Sequence, residues 1–278
     1  MGYRDILVQV DETRASRPRA VAAAALAARS QAQLTGVFLR SQFMRTYMGA
    51  EVITYMAPET IEAILKDHAD AVARAAEAAR ELFESAAADA GVQSDWLEVE
   101  GDDDFGIIAC ARRFDLTVLP PVALTSMGVL RIHAADIGMA AGGPILVVPE
   151  AGLAATPARR ILVAWKGARE SARALNDAWP LLAEAEDVHV LIVSKEAEAG
   201  PEGLLQRHFE RHGCKANIVV DRSDDASAAD ILRRQVKALD ADLLVMGLYG
   251  RPRLSEWVLG GVSRDLLAAP PAGLFLSH

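Results

Sequence analysis

The stretch ADLLVMGLYGRPRLSEWVLGGVSRDLL, residues 241–267, decides the fold that we expect for this chain. Its apolar start is typical of a buried strand, and Gly247 and Gly250 follow that strand directly. Nine residues then separate Gly250 from Gly260, where a glycine pair opens a short apolar helix pattern. Glycine allows close backbone approach, and the first amides of a helix have no internal partner. The order of strand, glycine loop and helix start therefore predicts an anion pocket, with a nucleotide phosphate as its occupant.

These residues resemble the glycine motif of the universal stress protein family. Nucleotide-binding members of that family carry Gly-x-x-Gly, nine residues, and then Gly followed by Ser or Thr. Gly247, Gly250 and Gly260 match in type and spacing, whereas Gly261 stands where the family has a hydroxyl residue. The resemblance implies ATP, ADP or AMP as the ligand and admits Mg²⁺ beside the phosphates.

The candidate binding residues surround these glycines. Ser263 is expected either to donate to a phosphate oxygen or to cap the last helix, and both roles could coexist. Arg251 and Arg264 could pair with phosphates bidentately, with a solvated surface role as the alternative for each. The complete expected set of binding residues is Gly247, Gly250, Arg251, Gly260, Gly261, Val262, Ser263, Arg264, Lys166 and Val193.

The chain contains an internal repeat. RDILVQVD near the start and RRILVAWKG at 159–167 both place an Arg before an apolar run that suits a buried parallel strand. Asp115 matches Asp242 at a separation of 127 positions, and Pro144 matches Pro271 at the same separation. We therefore expect two domains, residues 1–150 and residues 151–278, with a linker at 150–158.

Strands alternate with helices in each half, which predicts an α/β fold with right-handed crossovers. We expect two tandem, doubly wound, parallel five-stranded sheets. The resemblance implies that they form an intramolecular pseudo-dimer through their last strands, near Ile145–Val148 and Leu274–Leu276. The first half carries 28 additional residues, which include a Met-rich and aromatic segment from Ser41 to Pro58 and a helical pattern from Glu59 to Ala90. The Ser41–Pro58 segment is either a lid or partner surface, or a loop packed on the core.

Only the second half keeps the glycine motif. Because Pro120 lacks an N–H and the Asp136 carboxylate would repel phosphate, the first half is not expected to bind a nucleotide by this motif. Conversely, Asp11 follows the first strand, where the resemblance implies a contact with adenine and ribose, while Lys166 stands there in the second half. A base contact in the second half would therefore come from backbone groups around Val193. At the separation of 127 positions, the first half has Pro120 for Gly247, Ala123 for Gly250, His133 for Gly260 and Asp136 for Ser263.

Composition limits the class of protein. A chain of 278 residues with 51% hydrophobic and 24% charged residues is typical of a globular protein, and no apolar run approaches the length of a membrane span. Two cysteines do not indicate a disulfide scaffold. The net charge of −9 disfavours binding to nucleic acid and to anionic membranes. We expect a cytoplasmic protein, and homodimerisation is left open.

The sequence favours binding over catalysis. It has no Gly-x-Ser-x-Gly turn, no Walker A loop and no His-Glu-x-x-His pair. His208, His212 and Cys214 could approach a common point, but a fourth metal ligand is not evident. The favoured function is a nucleotide-responsive stress regulator that acts on protein partners, with slow ATP hydrolysis at most. The alternatives are a ligand-free interaction protein and an enzyme of the related adenine-nucleotide hydrolase or electron-transferring flavoprotein group.

Overall fold

The computed structural model describes residues 2–41, 56–101, 105–126, 131–154, 157–193, 203–222, 226–248 and 261–278. The first half contains β1 (Asp5–Gln9), α1 (Ser16–Ser30), β2 (Gln33–Arg40), α2 (Pro58–Asp89), β3 (Ser94–Glu100), α3 (Phe105–Ala111), β4 (Leu116–Leu119), β5 (Val122–Leu124), β6 (Arg131–His133), α4 (Ala134–Ala141) and β7 (Ile145–Val147). The second half contains β8 (Arg160–Ala164), α5 (Arg169–Asp177), α6 (Trp179–Leu182), β9 (Asp187–Val193), α7 (Leu204–Arg211), β10 (Asn217–Asp221), α8 (Ala228–Ala238), β11 (Leu243–Gly247), α9 (Gly261–Ala268) and β12 (Gly273–Ser277).

Ten of these strands form one sheet, in the order β10-β9-β8-β11-β12-β7-β4-β1-β2-β3. Each half supplies five neighbouring strands that are parallel to one another. The halves join where β12 pairs with β7 in antiparallel orientation, with Phe275 opposite Leu146. The expected α/β fold with two five-stranded halves is confirmed, and the two sheets are continuous through their last strands. The remaining two strands, β5 and β6, form a separate antiparallel hairpin.

Two apolar cores cover the two faces of the sheet. Because successive strand residues point to opposite faces, Ile161 and Val163 enter one core while Leu162 enters the other. The first core packs under α1, α2, α5, α6 and α7, and the second packs under α3, α4, α8 and α9. Each core takes residues from both halves. The short apolar runs of the sequence therefore become strands that are buried on both faces.

The repeat is visible in the geometry as well as in the sequence. Helices α4 and α9 begin and end 127 positions apart. Asp115 accepts hydrogen bonds from the amides of Arg4 and Asp5 at 2.7 and 3.1 Å. Asp242 accepts in the same way from the amides that precede Ile161, those of Arg159 and Arg160. Each aspartate thus fixes the start of the neighbouring strand, which explains why these residues occur in both halves.

Prolines lie at the starts of two helices. The predicted helix from Glu59 to Ala90 is α2, which begins at Pro58, and proline is well suited to the first helical position. Pro180 lies in the first turn of the short helix α6, where proline is tolerated, and α5 ends before it at Asp177. The predicted lid or partner segment lies, from 42 to 55, outside the described residues. None of the helices in the described ranges is long and apolar enough to cross a membrane.

Polar contacts add to the joint between the halves. The Tyr3 hydroxyl donates to the backbone oxygen of Asp177 at 2.7 Å, and burial, followed by the charge of Asp177, raises the pKa of Tyr3. Arg29 of α1 donates to the backbone oxygen of Pro157 at 2.6 Å and lies 2.9 Å from a carboxylate oxygen of Glu184. These contacts fix the residues before β1 against the end of α5, and α1 against Pro157 and Glu184 of the second half.

We predict that the two halves unfold as one unit. Phe275 is fully buried on β12 at the joint, so Phe275→Ala is expected to lower the free energy of unfolding by about 3–5 kcal/mol. Urea unfolding followed by tryptophan fluorescence and by circular dichroism should give one coincident transition before and after the substitution. Val219→Ala, at a side chain 44% exposed, serves as the control and should change the midpoint little. Two separate transitions in the wild-type protein would contradict the continuous cores.

Candidate functional site

The strand order of the second half creates a crevice at the carboxyl ends of β8 and β11. The chain leaves β8 for β9 on one side and later returns to β11 on the other side. Ligands of open parallel sheets bind at such a reversal of strand order. Lys166 lies just beyond β8, Val193 ends β9, Gly247 ends β11 and Gly261 begins α9. The fold thus brings the described members of the expected binding set to the carboxyl edge of the sheet or to the helix that follows it.

Gly247 is a close-packing glycine. A Cβ atom built there would lie 2.6 Å from the carbonyl carbon of Glu170 and 2.8 Å from the amide nitrogen of Ser171. The first turn of α5 therefore lies directly against the end of β11, and any side chain at Gly247 would displace it. Its backbone is not in the left-handed region. Of the two properties of glycine, close approach and positive φ, only close approach is used here.

The first turn of α9 carries three of the expected binding residues. Gly261 is exposed, and a Cβ atom built on it would have no neighbour within 4 Å among the described residues. Val262 is half-buried, and Ser263 is buried and has an interaction partner. Because the helix begins at Gly261, Ser263 lies within the first turn and is not the N-cap residue. Arg264 is 62% exposed and lies 3.4 Å from a carboxylate oxygen of Asp265.

Cationic side chains lie beside the same crevice at the start of α5. Lys166 is exposed, and Gly167 adopts a φ of +70° to turn the chain into the helix. Arg169 follows as the first residue of α5, with its side chain 74% exposed. The sequence does not single out Arg169, because an arginine three residues after Lys166 belongs to no motif. Its position at this helix start is set by the fold.

Some of the expected residues lie outside the described part of the chain, namely Gly250, Arg251 and Gly260. The histidines considered as metal ligands are described and pack on an aromatic ring. The ring centroids of His208 and His212 lie 5.4 and 4.0 Å from that of Trp179. The Cys214 thiol donates to the backbone oxygen of Leu182 at 3.6 Å. Among the described residues there is no group of three or more His, Cys, Asp or Glu side chains that could hold a metal ion.

The equivalent position in the first half is occupied by the protein itself. The β5–β6 hairpin lies between β4 and α4, where the second half has its glycine segment. The amide of Ala134, the first residue of α4, donates to the backbone oxygen of Pro121 at 3.1 Å. Asp136, which corresponds to Ser263, adds a negative charge to this first turn. An anion at this helix start would meet one amide already bonded and one carboxylate.

Asp11, the expected adenine and ribose contact, lies in a buried polar network. One of its carboxylate oxygens is 3.0 Å from the guanidinium of Arg19, and the other accepts from the amide and hydroxyl of Thr13. Arg19 also donates to the backbone and side-chain oxygens of Gln9 and to the hydroxyl of Ser16. Both oxygens of the carboxylate are therefore engaged within the first half.

The second half has neither the aspartate nor the arginine of this network. At a separation of 155 positions, Lys166 corresponds to Asp11 and Ala174 corresponds to Arg19. Ser171 corresponds to Ser16, and each serine hydroxyl accepts from a backbone amide that precedes its helix. A lysine beside a buried arginine would place two like charges together, so the loss of the aspartate and the loss of the arginine are physically linked.

Comparison with known proteins agrees with this architecture. Residues 157–272 match the model of the universal stress protein family. This match covers most of the second half of the chain. The whole chain is similar in structure to a universal stress protein from Archaeoglobus fulgidus DSM 4304, with a TM-score of 0.71, 13% identity, and coverage of 98% of this chain and 97% of that one. A functionally unknown protein from Pseudomonas aeruginosa PAO1 matches with a TM-score of 0.56, 17% identity, and coverage of 99% and 92%. No curated protein matches the sequence.

These similarities extend the fold to both halves. At 13% and 17% identity they establish architecture alone. Because the matches cover nearly the whole chain, the first half shares the fold of the universal stress protein domain although the family model matches only the second. The glycine motif is the feature that the second half has and the first half lacks.

We predict that the Asp11 network is a pH-dependent source of stability in the first half. Burial alone would raise the pKa of Asp11, but the Arg19 charge and hydrogen bonds from Thr13 and Ser16 outweigh it and lower the pKa. Since the folded-state pKa lies below the unfolded value of about 3.9, the ionised carboxylate stabilises the fold above that pH. This contribution is lost as the pH falls through the folded-state pKa.

Asp11→Ala leaves Arg19 buried without its counter-ion and is expected to cost about 3–5 kcal/mol at pH 7. Urea unfolding should show the gap between wild type and variant shrinking as the pH falls below about 4. The control is Glu84→Ala, which removes an exposed partner of Arg80 and should leave the midpoint unchanged. An equal, small effect of both substitutions would contradict the role of the network.

Proposed function

We propose that the second half binds the phosphates of ATP or a related nucleotide at the start of α9, and that this binding makes the protein a nucleotide-responsive stress regulator. The contrast between α4 and α9 carries the proposal. The two helices occupy corresponding places, yet the first turn of α4 has a bonded amide and an aspartate, whereas α9 begins with the exposed Gly261, which has open space among the described residues. The surroundings of α9 favour a negative ligand, and those of α4 disfavour one.

The charges at the crevice support a phosphate ligand. A helix N-terminus carries a partial positive charge and presents amides that lack intrahelical partners. Lys166, Arg169 and Arg264 are exposed cationic side chains at this edge, and each could move toward a bound phosphate. Gly250, Arg251 and Gly260 belong to the proposed site by their spacing. Mg²⁺ would accompany the nucleotide, with the phosphates among its ligands.

Phosphate recognition should dominate over base recognition. The Asp11 carboxylate is engaged by Arg19 and Thr13, and Lys166 in the second half cannot accept a hydrogen bond. Backbone groups around Val193 remain as the proposed partners of the base. Cytoplasmic location, protein partners that respond to the bound nucleotide, and a homodimer are parts of the same proposal.

A second candidate function is a ligand-free interaction protein. The observation that favours it is the packing of Gly247 against α5, which explains this glycine without any ligand. Mass spectrometry of the denatured protein for retained ATP, ADP or AMP, followed by calorimetric titration with each, separates the two functions. Absence of nucleotide and of binding would favour the second candidate. Turnover of the added nucleotide in the same samples would instead point to an enzyme.

We predict opposite effects of two substitutions at Gly261. Gly261→Ser supplies the hydroxyl that the glycine lacks, and a hydrogen bond to a charged group contributes roughly 1.5–3 kcal/mol, so ATP should bind about tenfold more tightly. Gly261→Asp places a carboxylate where the phosphate would lie and should weaken ATP binding by about tenfold or more. Isothermal titration calorimetry measures both changes.

The geometry makes this pair informative, because no atom of the described part of the chain obstructs a side chain at Gly261 and its φ is one that L-residues adopt. An aspartate in the first turn also complements the helix dipole, so the aspartate variant should keep or raise the melting temperature while it loses affinity. Gly261→Ala controls for the loss of glycine without adding a hydroxyl or a charge. Equal affinities for the serine, alanine and aspartate variants would refute a phosphate at this helix.

A further inference from the structure

Leu248, the residue that follows β11, is fully buried against the first half. Its side chain reaches Gly138 on α4, where an added Cβ would lie 2.8 Å from Leu248 Cδ2 and 2.9 Å from Ile145 Cδ1. The leucine therefore occupies a slot that exists because residue 138 has no side chain. Through this contact, the residue that opens the 248–260 segment of the second half is held by a helix of the other half.

The backbone of Leu248 is held from a second direction. Its amide donates to the backbone oxygen of Ser277 at 2.7 Å, which extends the pairing of β11 and β12 by one residue. Its carbonyl oxygen lies 3.0 Å from Nδ1 of His278. A carbonyl can only accept, so Nδ1 carries the proton, and Nε2 is then free to accept from Arg169 at 3.4 Å. His278 thus links Leu248 to the arginine at the start of α5.

We propose that the first half positions the end of β11, beside the proposed phosphate site, by anchoring Leu248 in the Gly138 slot, with His278 as the second anchor. The proposal rests on the function proposed above, because it assigns a role in that same site to the half that lacks the glycine motif. Gly138 and His278 are positioning residues. They fix Leu248 at the end of β11, and His278 also orients Arg169.

Two observations support a specific role for the slot. Glycine inside a helix destabilises it relative to alanine, so a glycine in the middle of α4 needs a packing reason, and Leu248 provides one. In addition, the leucine and glycine of this contact are not repeated at the corresponding positions of the other half. At the separation of 127 positions, Leu248 corresponds to Pro121 and Gly138 to Asp265, so α9 offers no glycine to the first half. The contact therefore goes with the glycine motif rather than with the shared fold.

The test compares matched variants by two independent readouts. Gly138→Ala adds one methyl group into the slot, whereas Gly143→Ala adds one methyl group nearby, where the closest atom is the Phe114 oxygen at 3.7 Å. Hydrogen exchange measures the protection of the Leu248 amide, and calorimetry measures ATP affinity. We expect Gly138→Ala to speed the exchange and to weaken ATP binding about fivefold or more, while Gly143→Ala changes neither.

The histidine anchor is tested by replacement and rescue. His278→Ala should reproduce the faster exchange and the weaker ATP binding. His278→Asn keeps a donor that can reach the Leu248 carbonyl and should restore both toward wild type, which a loss of general stability would not do. Unchanged exchange in both Gly138→Ala and His278→Ala would overturn the anchor. If the wild-type protein binds no nucleotide, the proposed function fails, and the exchange data still decide whether Leu248 is anchored.

Discussion

Backbone pairing between β7 and β12 is the interaction on which the rest of the structure depends. An edge strand exposes unpaired N–H and C=O groups, and the last strands of the two halves satisfy theirs by pairing with each other. Leu274, Phe275 and Leu276 are fully buried there, so the cores on both faces continue across the joint. The same pairing brings α4 of the first half to the end of β11 in the second. A chain with the halves apart would have neither the shared cores nor the slot for Leu248.

The duplicated halves have kept their scaffold contacts and changed their chemistry. Asp115 and Asp242 fix strand starts in the same way, because that need follows from the sheet. Asp11 and Arg19 form a buried ion pair in the first half, and in the second half Lys166 and Ala174 stand in their places. At the last helices the halves differ in the opposite way. The aspartate, Asp136, is in the first turn of α4 in the first half, whereas the first turn of α9 in the second half has no acidic residue. One half supplies structure, and the other supplies the proposed ligand site.

The sequence predicted the parts of the fold that depend on periodic or local signals. Apolar runs predicted the strands, and the separation of 127 positions seen between Asp115 and Asp242 recurs between α4 and α9. It also predicted the pairing of the last strands, through resemblance. The sequence could not show the β5–β6 hairpin, whose strands have three residues each and no turn signature. It also could not show that Arg19 neutralises Asp11, because an arginine eight residues away on a helix has no distinguishing pattern. Gly138, Leu248 and His278 are distant in sequence, and only the fold brings them together.

The proposed site requires α9 to bind phosphate while the corresponding start of α4 does not. Amide chemical shifts recorded during a titration with ATP test this claim residue by residue. The account predicts progressive shifts at Gly261, Val262, Ser263 and Arg264, with no change at residues 134–137 of α4. Shifts centred on residues 134–137, or a saturated complex that leaves the first turn of α9 unperturbed, would contradict it.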